Sequence, residues 1–130
     1  MPVAKYTYTG PIDHTTPIDR SQVKGKSVII TGGANGIGET CVRAFVAAGA
    51  FVTFGDLNDR GHEIEKELNA AHGTCCKFVT CNINDWEQQK SMFETAKQLS
   101  PAKSVDIVIA NAGISRSSGD SMWVLDGKFS

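Results

Sequence analysis

The chain has 130 residues, 41% of them apolar in type and 21% charged, with 13 Lys plus Arg against 14 Asp plus Glu and a formal charge of −1. That length suits one domain whose core buries roughly two thirds of the surface of the unfolded chain, and it excludes a two-domain enzyme. The near-neutral balance, with no long basic run, gives no electrostatic footprint for nucleic acid or an anionic membrane.

Residues 1–24 carry Pro2, Gly10, Pro11 and Pro17 without a sustained apolar period, and read as an extended arm. They lack the basic start and apolar stretch of a secretory signal. The longest largely apolar run, residues 45–54, contains Gly49 and Thr53 and falls short of the ~18 residues of a membrane-spanning helix. A soluble chain is expected, cytoplasmic by default. The β-branched run 27–30 predicts a buried strand that ends in a glycine cluster. Helical spacing follows through Ile37, Cys41, Ala44, Phe45 and Ala48, with Gly49 placed to stop the helix.

The alternation then repeats. Residues 51–55 predict a second strand, and Asn58 is positioned to cap a helix burying Gly61, Ile64, Leu68 and Ala71. Residues 77–81 predict a third strand. Asn84 with Glu87 resembles a capping box, opening a helix that buries Met92, Phe93, Ala96 and Leu99 and closes at Pro101. The β-branched run 105–110 predicts a fourth strand, of the kind buried on both faces. Strands alternating with amphipathic helices imply an α/β fold, a Rossmann-like parallel sheet with helices on both faces.

The segment Thr31-Gly32-Gly33-Ala34-Asn35-Gly36-Ile37-Gly38 lies between the first strand and the first helix. A phosphate must approach main-chain N–H donors closely, and a Cβ on such a loop would hold it off. The helix that follows turns its unpaired first amides and the positive end of its dipole to the anion. Asp56 stands just past the second strand, where a carboxylate accepts hydrogen bonds from the ribose hydroxyls of a dinucleotide. Facing a 2′-phosphate it would form a like-charge pair, so NAD is expected over NADP. Arg60, close by in sequence, could soften that discrimination and keeps NADP as the lesser alternative.

Thr31-Gly32-x-x-x-Gly36-x-Gly38, Asp56 and Asn111-Ala112-Gly113 together resemble the N-terminal half of the short-chain dehydrogenase/reductase family, over about residues 24–114. The resemblance implies that Thr31, Gly32, Asn35, Gly36, Ile37 and Gly38 form the pyrophosphate loop. It implies that Asn82 and Ile83 lie against the adenine, although many relatives carry Asp where this chain has Asn82. It further implies that Asn111, Ala112 and Gly113 support the sheet and approach the cofactor ribose. On this reading residues 1–24 are the arm, 25–114 an NAD(P)-binding half-domain of about four strands, and 115–130 a loop-like, truncated end.

The family's proton chemistry uses a serine and a Tyr-x-x-x-Lys pair. The two tyrosines here, Tyr6 and Tyr8, precede the first strand and are followed four positions on by Gly10 and Ile12. Ser115, Ser117 and Ser118 follow the Asn-Ala-Gly turn too closely to serve, and Lys128 has no tyrosine partner. No catalytic residue is therefore assigned. His14, His62 and His72 do not replace them. Cys41, Cys75, Cys76 and Cys81 form no C-x-x-C pair, so no metal is expected and they read as reduced, buried thiols.

The expected partner is a nicotinamide dinucleotide. Intact relatives would pass hydride between nicotinamide and a secondary alcohol or ketone, some of them in secondary metabolism, and this chain alone is expected to be inactive. A non-catalytic NAD-binding or interaction module is the alternative, as is a gene fragment without function. Residues 106–110, central in relatives, would be left as an apolar edge open to self-association.

Overall fold

A computed structural model, which describes Lys5 and residues 7–113, shows the strand–helix alternation as a four-stranded parallel sheet. In chain order the elements are β1 (Ser27–Thr31), α1 (Gly36–Ala47), β2 (Phe51–Asp56), α2 (Gly61–His72), β3 (Cys76–Thr80), α3 (Trp86–Leu99) and β4 (Ile107–Ile109), preceded by a single 3₁₀ turn at Arg20–Val23. The strands lie in the order β3-β2-β1-β4. The fold is Rossmann-like. Strand order reverses at β1, which pairs with β2 on one side and β4 on the other. Residues 115–130, with the serines and Lys128 discussed above, lie outside the described residues, as does Tyr6.

Alternate residues of each strand enter opposite cores. Val28 and Ile30 of β1, Val52 and Phe54 of β2 and Phe78 of β3 pack under α1 and α2 with Val42, Val46, Ile64 and Leu68. The Phe54 and Phe78 rings sit 5.3 Å apart in a tilted pair. On the other face Ile29, Cys81, Met92 and Ala96 form a smaller core under α3.

Several expected faces are corrected by this packing. The buried stripe of α1 is Gly38, Val42 and Val46, with Cys41 and Phe45 at its margin; Ala44 is exposed and Ile37 is 77% exposed. The helix begins at a loop that turns Ile37 outward, so the stripe is rotated by one residue. In α2, Ala71 is exposed, the buried face being Gly61, Ile64 and Leu68. In α3, Phe93 is 42% exposed rather than buried, since the face beyond Met92 and Ala96 has no neighbour among the described residues.

The capping box of α3 is also shifted by one. Asp85, not Asn84, is the N-cap, and its side chain accepts the Gln88 N–H at 3.1 Å. Strand β3 runs Cys76–Thr80, one residue earlier than expected. Strand β4 is three residues long, with Ile107 and Ile109 half-buried and Val108 exposed. Among the described residues it lies at the sheet edge with β1 as its one partner, and the burial on both faces expected for 105–110 is not reached there.

Candidate functional site

A cleft of about 450 Å³ opens at the carboxyl ends of the strands. Ligands of open α/β sheets bind where strand order reverses, and this cleft sits at that place, between the ends of β1 and β4. Gly32, Asn35, Ile37, Gly38, Asp56, Asn82, Ile83, Asn111, Ala112 and Gly113 line it, together with Leu57 and Cys81, which the sequence did not single out. Thr31 and Gly36 do not line it.

Thr31 instead joins two strand ends. Its Oγ1 accepts the N–H groups of Asn111 and Ala112 at 3.1 and 3.0 Å. Asn111 returns the contact, its Nδ2 donating to the carbonyls of Thr31 and Gly32 at 3.1 and 3.3 Å. The Asn-Ala-Gly turn therefore braces the base of the glycine loop. The loop approaches it closely: a Cβ on Gly32, at φ +70°, would stand 3.0 Å from both the Ala112 Cα and the Asn111 Nδ2.

Gly38 permits the tight entry into α1, because a Cβ there would stand 1.9 Å from the Gly32 carbonyl oxygen. Gly36 differs. Its φ of +54° favours glycine, yet nothing lies within 4 Å of the Cβ position, so the loop faces open space there. The start of α1 is left uncapped by its own N-cap residue, Asn35, whose side chain makes no cap hydrogen bond. The first amides of a helix in that condition attract an anion. The N-terminus of α3, by contrast, is closed by Asp85.

Asp56 ends β2 with its carboxylate fixed by two main-chain donors: Oδ2 accepts the Ala34 N–H at 3.0 Å and Oδ1 the Asn58 N–H at 3.1 Å. The same residue thus ties the glycine loop to the β2 end and presents its remaining lone pairs at the cleft. Asn58 in turn accepts the Arg60 N–H on Oδ1 at 3.0 Å and leads the chain into α2.

At the far side, Gln88 Oε1 accepts the Asn82 N–H at 2.7 Å, and Asn82 Oδ1 accepts the Asn84 N–H at 3.0 Å. The side-chain oxygen of Asn82 is therefore engaged in its own turn. Burial raises the Cys81 thiol above its ordinary value, with a smaller contribution from Asp85.

A chain of ion pairs links α1 to α2 and reaches the glycine loop, where Arg60 Nη1 donates to the Ala34 carbonyl at 2.7 Å. Glu39 on α1 is paired with Arg60 before α2 and with Arg43 one turn along α1; Arg43 then grips Glu67 of α2 through two bonds of 2.9 and 3.0 Å. The hydrogen bond from Arg60 is the main cause holding the Glu39 carboxyl below its ordinary range, against the opposing effect of burial. Among the described residues no group of three His, Cys, Asp or Glu side chains could hold a metal, and no helix is long and apolar enough to cross a membrane.

A glycine loop at a helix start, an acid at the end of the next strand and a cleft at the reversal point define a nucleotide-binding Rossmann protein. The sequence model of the short chain dehydrogenase family matches residues 26–124, and the chain belongs to that family. It is 36% identical over 107 residues to the 5′-hydroxyaverantin dehydrogenase of Dothistroma septosporum, covering 81% of this chain and 35% of that protein. It is likewise 36% identical over 110 residues to the (+)-cis,trans-nepetalactol synthase NEPS2 of Nepeta racemosa, covering 83% of this chain and 39% of that protein.

Among solved structures, L-sorbose reductase from Gluconobacter frateurii complexed with NADPH and L-sorbose matches with a TM-score of 0.64 and 26% identity, over 72% of this chain and 35% of that one. The chain spans little more than a third of the length of these relatives.

Proposed function

We propose that the cleft binds the adenosine diphosphate part of a nicotinamide dinucleotide, with NAD preferred to NADP. The uncapped start of α1 takes the pyrophosphate on the amides of residues 36–38, with Asn35 and Ile37 shaping the loop. Asp56 takes the ribose hydroxyls, Asn82 and Ile83 the adenine, and Asn111, Ala112 and Gly113 approach the second ribose. Thr31 and Gly36 act through the backbone, Thr31 as a brace and Gly36 as a gap. The observation that carries the reading is the Asp56 carboxylate, held 3.0 Å from the Ala34 N–H so that loop and acid face one cleft.

The dinucleotide supplies or accepts hydride when bound, and in the whole protein the exchange would be with a secondary alcohol or ketone. A group that passes a proton near neutral pH must accompany that transfer. Tyr6 and Tyr8 are the tyrosines of this sequence, and neither has a lysine four positions on. The 130 residues alone are therefore expected to bind cofactor without turnover.

Calorimetric titration with NAD, on a sample whose circular dichroism shows it folded, is expected to give saturable binding. Asp56→Ala is expected to weaken binding by about tenfold or more, the loss of charge-assisted hydrogen bonds. A folded chain that gives no heat with NAD would overturn the reading, and turnover of an alcohol by the chain alone would overturn its catalytic part.

A further inference from the structure

Arg60 carries a charge that ought to favour NADP, yet its guanidinium is occupied. Nη1 donates to the Ala34 carbonyl at 2.7 Å and also to Glu39 Oε2, while Nη2 donates to Glu39 Oε1 at 3.0 Å. Ala34 is the residue whose N–H the Asp56 carboxylate holds. One loop residue thus separates the guanidinium from the acid proposed to grip the ribose, which is where a 2′-phosphate would project. The side chain of Glu39 is only 15% exposed against 45% for Arg60. The half-buried partner holds the more exposed one.

We infer that Glu39 is a positioning residue for cofactor choice: by pinning Arg60 to the Ala34 carbonyl it withholds that guanidinium from the 2′-phosphate of NADP. The inference rests on the cleft being a dinucleotide site. It also explains how a cation so near the ribose acid coexists with a preference for NAD. A guanidinium engaged through several bonds with a carboxylate has little left to offer a phosphate, and the carboxylate itself repels one. Arg43, with Glu67 as a second partner, stays in place when Glu39 loses its charge.

The test is calorimetric titration of NAD and NADP into the full chain and into Glu39→Gln, Glu39→Asp and Glu39→Gln combined with Arg60→Met. Glu39→Gln is expected to tighten NADP about tenfold, the value of one charge-assisted contact, while NAD moves less than about twofold. The double variant is expected to lose the gain, and Glu39→Asp, which keeps the pairing, to retain the natural ratio. Glu39→Ala is the second route should Glu39→Gln fail to fold: it removes the carboxylate that holds the Arg60 guanidinium, so it is expected to shift the ratio toward NADP in the same direction.

Equal weakening of both cofactors, or an unchanged ratio, would show that the ion pair merely joins α1 to α2 and would overturn the inference while leaving the cofactor site standing. A folded natural chain that binds neither dinucleotide would remove the site and this inference together.

Discussion

The two edges of the sheet are finished in different ways. Along β3 the outward main-chain groups are taken by α2: Asn69 Oδ1 accepts the N–H groups of Cys75 and Cys76 at 3.1 and 2.9 Å, and Asn69 Nδ2 donates to the Cys76 carbonyl at 2.9 Å. Glu65 Oε2 accepts the Phe78 N–H at 2.7 Å. Along β4 no side chain of the described residues plays that part, and Val108 is 52% exposed. An unpaired strand edge is a template for pairing with another chain. Two polar side chains on a neighbouring helix stand in for a strand at β3, whereas the apolar run at β4 calls for a real one.

That contrast breaks first at Asn69. Asn69→Ala orphans three main-chain groups at once, and chemical denaturation is expected to show a loss of about 2 kcal/mol or more. Glu65→Ala orphans the Phe78 N–H alone and is expected to cost about 1 kcal/mol.

Cys76 reports the same edge from inside. Burial is the main cause pushing its thiol up to about 12, with smaller contributions from Cys75 and Glu65. A thiol raised in the folded state stabilises folding fully below its unfolded value of 9.0, and that contribution is lost as pH climbs from there toward 12. Iodoacetamide at pH 8 is therefore expected to alkylate Cys76 slowly in the natural chain and faster in Asn69→Ala.

Val108→Lys gives the smallest expected effect on stability, within about 0.5 kcal/mol. If β4 is where copies meet, as we propose, it also shifts size-exclusion elution toward the monomer. Unchanged elution of an oligomer would place self-association elsewhere.

The alternation of β-branched runs and amphipathic segments made the sheet and its helices legible, because period 2 and period 3.6 differ over even a few residues. The exceptions are local. Asn84-x-x-Glu87 and Asp85-x-x-Gln88 both fit a capping pattern, and spacing alone does not choose between them; in the structure it is the Asp85 side chain that accepts the N–H three residues on, that of Gln88. Ile37 reads as core by spacing but follows a loop whose geometry no period encodes. The β4 run is intrinsically apolar, and its exposure follows from having a single neighbour in the sheet among the described residues.

Within the cleft, Asp56 and the glycines stood out by spacing from strand ends. Leu57 and Cys81 carry no chemical signature and reach the cleft only because they flank Asp56 and Asn82. The Glu39–Arg60 pair joins residues distant in sequence, and only the packing of α1 beside α2 brings them together.

The most direct test of the cofactor site is an ¹⁵N–¹H correlation spectrum of the chain titrated with NAD. The account predicts progressive, saturating shifts of the amides of Gly36, Ile37 and Gly38, accompanied by those of Asp56 and Gly113. Spectra in which these amides stay fixed at saturating NAD, or in which the changes are confined to the exposed face of α3 around Trp86 and Phe93, would contradict it.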